Sequence, residues 1–143
     1  MKKFSSAFTM IELVFVIVVL GILAGIAVPR LAATRDDATI AKIRGDVAAI
    51  RSGLSLRRSE NLMRGNTVWP DINNTGGKLF NNILQQPIYP VPAGSRNGWA
   101  NAADGATQYT VSVAGHDVTF TYNNANGSFD CDHGTEWCRK LAE

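Results

Sequence analysis

The chain opens on a short polar stretch that gives way to one long apolar run. From Phe8 to Val28 the run contains 21 residues, and a helix of that length spans about 31 Å, close to the hydrocarbon thickness of a bilayer. Its one charged side chain is Glu12, near the start. A carboxylate at the centre of a membrane helix costs about 2.5 to 3.5 kcal/mol, and less near the interface. The pattern therefore predicts a membrane-spanning helix whose acid needs a compensating cation.

Beyond Pro29 the pattern becomes that of an amphipathic helix, with apolar residues at spacings of three and four and charged residues between them. Gly65 is a natural stop, so we expect the helix to end at about Leu62 or Met63. The apolar stripe is too short for a coiled coil and should pack on the chain's own globular part. Its members are Ile40, Ile43, Val47, Ile50 and Leu54.

Residues 66–105 are rich in Asn, Gly and Pro, which indicates a connecting segment. Within it, paired apolar residues predict one short helix around Lys78 to Gln86, ended by Pro87. Three aromatic residues of this region are expected to cover the helix stripe. They are Trp69, Tyr89 and Trp99.

Apolar and polar residues then alternate, which predicts strands at 109–113 and 118–122 and a third strand at about 128–131. Gly115 lies in the first turn and the Asn126-Gly127 pair in the second. A long helix laid on a small antiparallel sheet places the chain in the α+β class.

The N-terminal sequence carries a specific resemblance. The basic leader MKKFSSA followed by FTMIEL is similar to the processing signal of type IV pilins and type II secretion pseudopilins. The resemblance implies that a prepilin peptidase cuts between Ala7 and Phe8 and methylates the new amine. It also implies that Glu12 pairs with that amine on a neighbouring subunit. Ala7 departs from the family, which usually has Gly before the cut.

Three residues further along the apolar run fit packing in a helical filament. Gly21 and Gly25 form a small-xxx-small pair that lets another helix approach closely. Pro29 removes one helix hydrogen bond and favours a kink.

The predicted organisation has four parts. Residues 1–7 are the leader, 8–29 the membrane or filament-core half of the helix, 30–64 its amphipathic half, and 65–143 a periplasmic domain. Lys2 and Lys3 place the N-terminus in the cytoplasm by the positive-inside bias. The resemblance implies a single-pass protein of the bacterial inner membrane that assembles into a filament, with the secretion pseudopilus preferred over a surface pilus. Its implied partners are other subunits, the peptidase, membrane lipid, a platform protein and a motor ATPase.

Charge and cysteine content add less. A net charge of +2 calls for neither nucleic acid nor an acidic substrate. Cys131 and Cys138 suit one disulfide in an oxidising periplasm. The alternatives are a zinc site that adds His133, for which a fourth ligand is missing, and a calcium site at the same loop. The calcium candidates are Asp130, Asp132 and Glu136; the main interpretation is that the chain has no cofactor.

Rival interpretations of function remain. The apolar run also fits a signal anchor or a signal peptide cut after Ala27. A membrane-anchored binding module that does not polymerise would use Trp69 and Trp99, but it gives Glu12 no role. No catalytic constellation is present, so an enzyme is not expected. A basic patch for DNA is less favoured than a solvated helix face; its members are Arg51, Arg57, Arg58 and Arg64.

Overall fold

The computed structural model describes residues 8–72 and 75–143. The chain divides into two compact units, Met1–Arg35 and Asp36–Glu143. The elements are α1 (Met10–Met63), a 3-10 turn (Thr75–Gly77), β1 (Gly98–Trp99), β2 (Gln108–Val113), β3 (His116–Asn123), β4 (Ser128–Cys131) and α2 (Glu136–Ala142). Helix α1 contributes residues to both units, and the sheet and α2 belong to the second.

The end of α1 follows from local chemistry. Gly65 adopts φ 78°, which a glycine reaches without steric cost. Its N–H donates to the Leu62 carbonyl at 3.0 Å, and the Asn66 N–H donates to the Asn61 carbonyl at 2.8 Å. These two bonds form a Schellman motif that satisfies carbonyls left over at the helix end. The predicted end at Leu62 or Met63 is confirmed.

The four strands form one antiparallel sheet in the order β1-β2-β3-β4. Strands β2 and β3 pair with Val113 opposite His116, so Ala114 and Gly115 form a two-residue turn. Both have positive φ, 54° and 84°, as the type I′ hairpin turn requires. The predicted α+β class and the three predicted strands are confirmed.

One core fills the second unit. Every second residue of β2 and β3 is buried, and these side chains belong to the same buried cluster as the α1 stripe. Within that stripe Ile43, Val47, Ile50 and Leu54 are each at most 1% exposed. The amphipathic half of α1 therefore packs on the chain's own globular part, as its pattern predicts.

Three expectations need correction. The short helix expected around Lys78 to Gln86 is wrong, because Leu79 and Ile88 form an antiparallel bridge instead. Phe80 between them has φ 58° and is fully buried, with its ring 4.6 Å from that of Tyr109; burying this ring overrides the helical pattern. The sheet also has a fourth strand, β1, too short to show alternation. The C-terminal helix α2 was also not expected; it begins inside the cysteine loop at Glu136 and continues past Cys138 to Ala142.

Candidate functional site: the exposed start of the long helix

The N-terminus of α1 is organised by Thr9. Its hydroxyl oxygen accepts a hydrogen bond from the Glu12 N–H at 3.3 Å, and its carbonyl accepts from the Leu13 N–H at 3.1 Å. Thr9 is therefore the N-cap, and Glu12 stands at the third helical position, as in a capping box. The carboxylate of Glu12 is favourably placed near the positive end of the helix dipole.

Phe8 and Glu12, the two residues assigned to processing and assembly, lie together at this end. Both are exposed, and the Phe8 side chain is 80% accessible. Among the residues that the structure describes, no cation forms an ion pair with Glu12. Ala7, the other predicted processing residue, lies outside the described residues.

The apolar half of α1 buries none of its large side chains. The described part of the chain contains one helix long and apolar enough to cross a membrane by length and composition, and its apolar window is wholly unburied. Exposure ranges from 36% for Val19 to 81% for Met10. So much contiguous apolar surface requires a bilayer or other helices to cover it.

The predicted packing positions lie on this exposed helix. A β-carbon added at Gly21 or Gly25 would meet nothing within 4 Å, so both sites are open to an approaching helix. Pro29 lies inside α1. The packing and kinking roles of these three residues stay predictions.

The cysteines lie at the other end of the chain. Cys131 at the end of β4 and Cys138 in α2 form a disulfide, with Cα atoms 5.8 Å apart. The predicted disulfide is therefore confirmed. It consumes both thiols, so the alternative in which they bind zinc does not fit the structure.

Arg51 of α1 joins the elements around this disulfide. Its guanidinium donates to the carbonyls of Phe129 and Ala142, each at 3.0 Å, and to the Asp130 carboxylate at 3.1 Å. Asp130 is also bound by His133, whose Nε2 lies 3.0 and 3.1 Å from its two oxygens. The long helix, the edge strand and the C-terminal helix thus meet at one guanidinium.

This cluster changes two pKa values. Burial alone raises the pKa of Asp130, but hydrogen bonds from His133 and the Cys131 N–H, with the charge of Arg51, hold it below its ordinary value. The hydrogen bond and negative charge of Asp130, with a smaller contribution from Glu143, raise the pKa of His133. The pair is therefore charged on both sides at mildly acidic pH.

The three calcium candidates have other partners. Asp130 binds Arg51 and His133, Asp132 accepts from the Gly134 N–H at 2.9 Å, and Glu136 pairs with Lys140 at 2.7 Å. Among the described residues, the side chains whose ligand atoms lie close enough together to hold a metal ion are instead those of Asp130, His133 and Cys138. The sulfur of Cys138 is already in the disulfide. Calcium binding stays a prediction that this geometry does not strengthen.

The two tryptophans of the rival binding face are not available together. Trp99 is 1% exposed, and its indole N–H donates to Asp46 at 3.0 Å. Trp69 is half-buried, with the Arg58 guanidinium 5.0 Å from its ring centre. Both are accounted for as parts of the packed domain.

The structural roles of two residues, Thr9 and Arg51, were not predicted from the sequence. The cap at Thr9 was readable, because Thr followed three residues later by Glu at a helix start is the capping-box pattern. The role of Arg51 was not, because its partners lie 78 to 91 residues away in the chain.

Comparison with known proteins adds an independent result. Residues 2–28 match the family described as a prokaryotic N-terminal methylation motif. The type II secretion system core protein G of Pseudomonas aeruginosa is 37% identical over 60 residues, 42% of each chain. The type IV major fimbrial protein FimA of Dichelobacter nodosus is 33% identical over 81 residues, covering 57% of this chain and 48% of FimA.

A longer alignment exists with the core protein G of Vibrio cholerae, which is 30% identical over 100 residues, 68% of this chain and 62% of the relative. The alignments thus span less than two thirds of the length of each of these relatives. No solved structure matches at a comparable significance. The methylation motif, the exposed apolar helix and these relatives support placing the chain in the family of type IV pilins and type II secretion pseudopilins.

Proposed function

We propose that this protein is the structural subunit of a pilin-like filament, held in the inner membrane by the apolar half of α1 until it assembles. The observation that carries the proposal is the exposure of that half, where no large apolar side chain is buried. Lipid covers this surface in the monomer and neighbouring helices cover it in the filament. A structural role agrees with the family.

Glu12 supplies the charge that positions one subunit against the next during assembly. Cleavage before Phe8 creates an ammonium group next to the exposed cap of α1, and the same end carries the one acid of the apolar run. In a filament the acid of one subunit meets the amine of the next, and both charges are compensated in a low-dielectric surrounding. In the membrane-inserted monomer, the N-terminus faces the cytoplasm and the folded domain faces the periplasm.

A type II secretion pseudopilus is the preferred filament. The relatives named core protein G support it, and so does the short disulfide loop. A surface pilus is the second candidate, because FimA is also among the relatives. The remaining partners are a prepilin peptidase, a platform protein in the inner membrane and a motor ATPase.

Cysteine crosslinking in cells tests the proposal. Ile17 is 58% exposed on the apolar half and Tyr89 is 67% exposed on the folded domain. If helices pack together, Ile17→Cys should give covalent dimers under mild oxidation. Tyr89→Cys, somewhat more accessible and off the helix, is the control for random collision. A chain that stays monomeric through Ile17→Cys would favour the membrane-anchored binding module instead.

A further inference from the structure

The apolar run is bracketed by two opposite charges. No charged residue lies between Glu12 and Arg30, and at the helical rise they are about 27 Å apart along α1. That separation is close to the hydrocarbon thickness of about 30 Å. If Glu12 lies at one interface of the membrane, Arg30 lies at the phosphate level of the opposite leaflet.

A shallow groove surrounds Arg30 on the surface of α1. It has a volume of 350 Å³ and is lined by Ala27, Arg30, Leu31 and Thr34. The Thr34 hydroxyl donates to the Arg30 carbonyl at 2.9 Å, so its hydrogen is used within the helix. Arg30 therefore supplies the side-chain donors of the groove, and Ala27 and Leu31 supply apolar surface.

The guanidinium of Arg30 has no acidic partner among the residues that the structure describes. The nearest carboxylate in sequence beyond it, Asp36, is bound by Arg96 at 3.3 Å. Arg30 is exposed, and its five N–H groups suit bidentate binding of a phosphate. A cation beside apolar surface matches a phospholipid, in which a phosphate adjoins acyl chains.

We propose that Arg30 and the apolar groove beside it form a binding site for one anionic phospholipid of the periplasmic leaflet. The guanidinium binds the phosphate, and the upper acyl chain lies along Ala27 and Leu31. This contact fixes the depth of the monomer in the membrane and holds it there before assembly. The inference rests on the membrane anchorage proposed above.

Lipid retention measures the site directly. The full chain is purified in detergent, phosphatidylglycerol is added, and bound lipid is counted by native mass spectrometry. Arg30→Gln should retain about five-fold less lipid, the effect of one basic residue at a membrane surface. Arg35→Gln, which removes the next cation along the helix, is the matched control and should retain lipid as the wild type does.

Two further arms identify the ligand and the groove. Leu31→Ala should lower retention while leaving the charge unchanged. Soluble glycerol phosphate at the same concentration should not displace the lipid, because it lacks acyl chains. Displacement by glycerol phosphate would show that a free phosphate is the ligand and would overturn the lipid proposal.

Other outcomes would also overturn it. Equal retention by Arg30→Gln and the wild type is one, and an equal loss in Arg35→Gln is another. If Arg30→Gln retains lipid but loses the Ile17 crosslink, the acceptor of the guanidinium belongs to a second subunit. Alkaline extraction separates the two proposals: release of the wild-type chain from membranes contradicts the anchorage itself, whereas failure of the lipid arms alone contradicts only the site.

Discussion

The position of Glu12 is compatible both with its place in the helix cap and with the assembly role proposed for it. It stands in the first turn of α1, where the helix dipole and the cap at Thr9 favour a negative charge. Because no cation of the described residues pairs with it, the carboxylate remains free for a partner from another subunit. A glutamate at this position therefore need not be buried uncompensated in the monomer.

Replacing Glu12 by Gln separates insertion from assembly. The variant should insert into the membrane at least as well as the wild type, because the membrane penalty of the charge is removed. Filament formation should slow or fail, since the partner ammonium is left buried and unpaired, at a cost of several kcal/mol. Filament yield and inserted monomer are compared at equal expression, with Glu12→Asp as the control that keeps the charge. Normal filaments from Glu12→Gln would mean that the acid is incidental.

Gly127 tests how tightly the folded domain is packed. It has φ 73°, and a β-carbon there would overlap the ring of Trp69. Gly127→Ala should therefore lower the free energy of unfolding by about 2 to 4 kcal/mol, from left-handed strain together with overpacking. Gly115→Ala isolates the strain, because Gly115 has φ 84° with open space around it. Equal losses in urea denaturation of the two variants would show that Trp69 moves aside freely.

Helix α2 is held to the end of β4 by a covalent bond, the disulfide between Cys138 and Cys131. The chain-entropy model gives about 2.5 kcal/mol for a disulfide that closes a loop of about eight residues. Replacing either cysteine by Ser should lower stability by about 2 to 4 kcal/mol. Cys138→Ser should lower the free energy of unfolding more than Cys131→Ser. Cys138 is fully buried, so a serine hydroxyl at this position would be removed from contact with water. Denaturation midpoints of the two variants test this order, and two freely alkylated thiols in native protein would contradict the disulfide.

The C-terminal end of α2 is attached through two contacts of the cluster, the Arg51 bond to the Ala142 carbonyl and the His133 contact with Glu143 at 3.5 Å. This attachment should respond to pH. The raised pKa of His133 means that its contribution is complete below about pH 6.5 and is lost as pH rises through the folded-state value. The lowered pKa of Asp130 means that its contribution is present above about pH 3.8 and is lost as pH falls through its folded-state value. The attachment is therefore strongest between these limits.

Hydrogen exchange at residues 141–143 measures this response. Protection, corrected for intrinsic exchange, should be higher at about pH 5.5 than at about pH 8 in the wild type, and the difference should shrink in His133→Asn. His116 stacks on Trp137 of the same helix, with ring centres 4.4 Å apart. His116→Asn is therefore the control, and a similar loss of pH dependence in that variant would contradict the assignment to His133.

The predictability of each element follows from how its residues repeat. The amphipathic half of α1 and strands β2 and β3 have sustained periods, and their burial follows those periods residue by residue. The segment around Phe80 has no such repeat, because its conformation is set by ring contacts with Trp99 and Tyr109, which come much later in the chain. Local pattern could not reveal that contact.

At the scale of the whole molecule, the two units divide the work. The second unit has its own core and accounts for its three tryptophans, its disulfide and most of its charges internally. The first leaves an apolar surface, an acid and an arginine without partners among the described residues. The candidate site could be read from sequence because its function requires those groups to remain exposed, and an unbroken apolar run is visible without knowledge of the fold.

The final prediction concerns the covalent form in which the protein acts. The leader and the FTMIE sequence place the cut before Phe8, so the mature chain should begin there with a methylated amine. Cleavage at this position puts an ammonium group four residues before Glu12, at the helix end where the proposed filament pairs the two charges between subunits, whereas cleavage after Ala27 would remove Glu12 altogether. Ala7 keeps a small side chain before the cut, so Ala7→Gly should be processed at least as fully and Ala7→Leu much less. Mass spectrometry of the membrane fraction measures each N-terminus. An intact Met1, or a chain beginning at Val28, would contradict the filament subunit and favour an ordinary anchor or signal peptide.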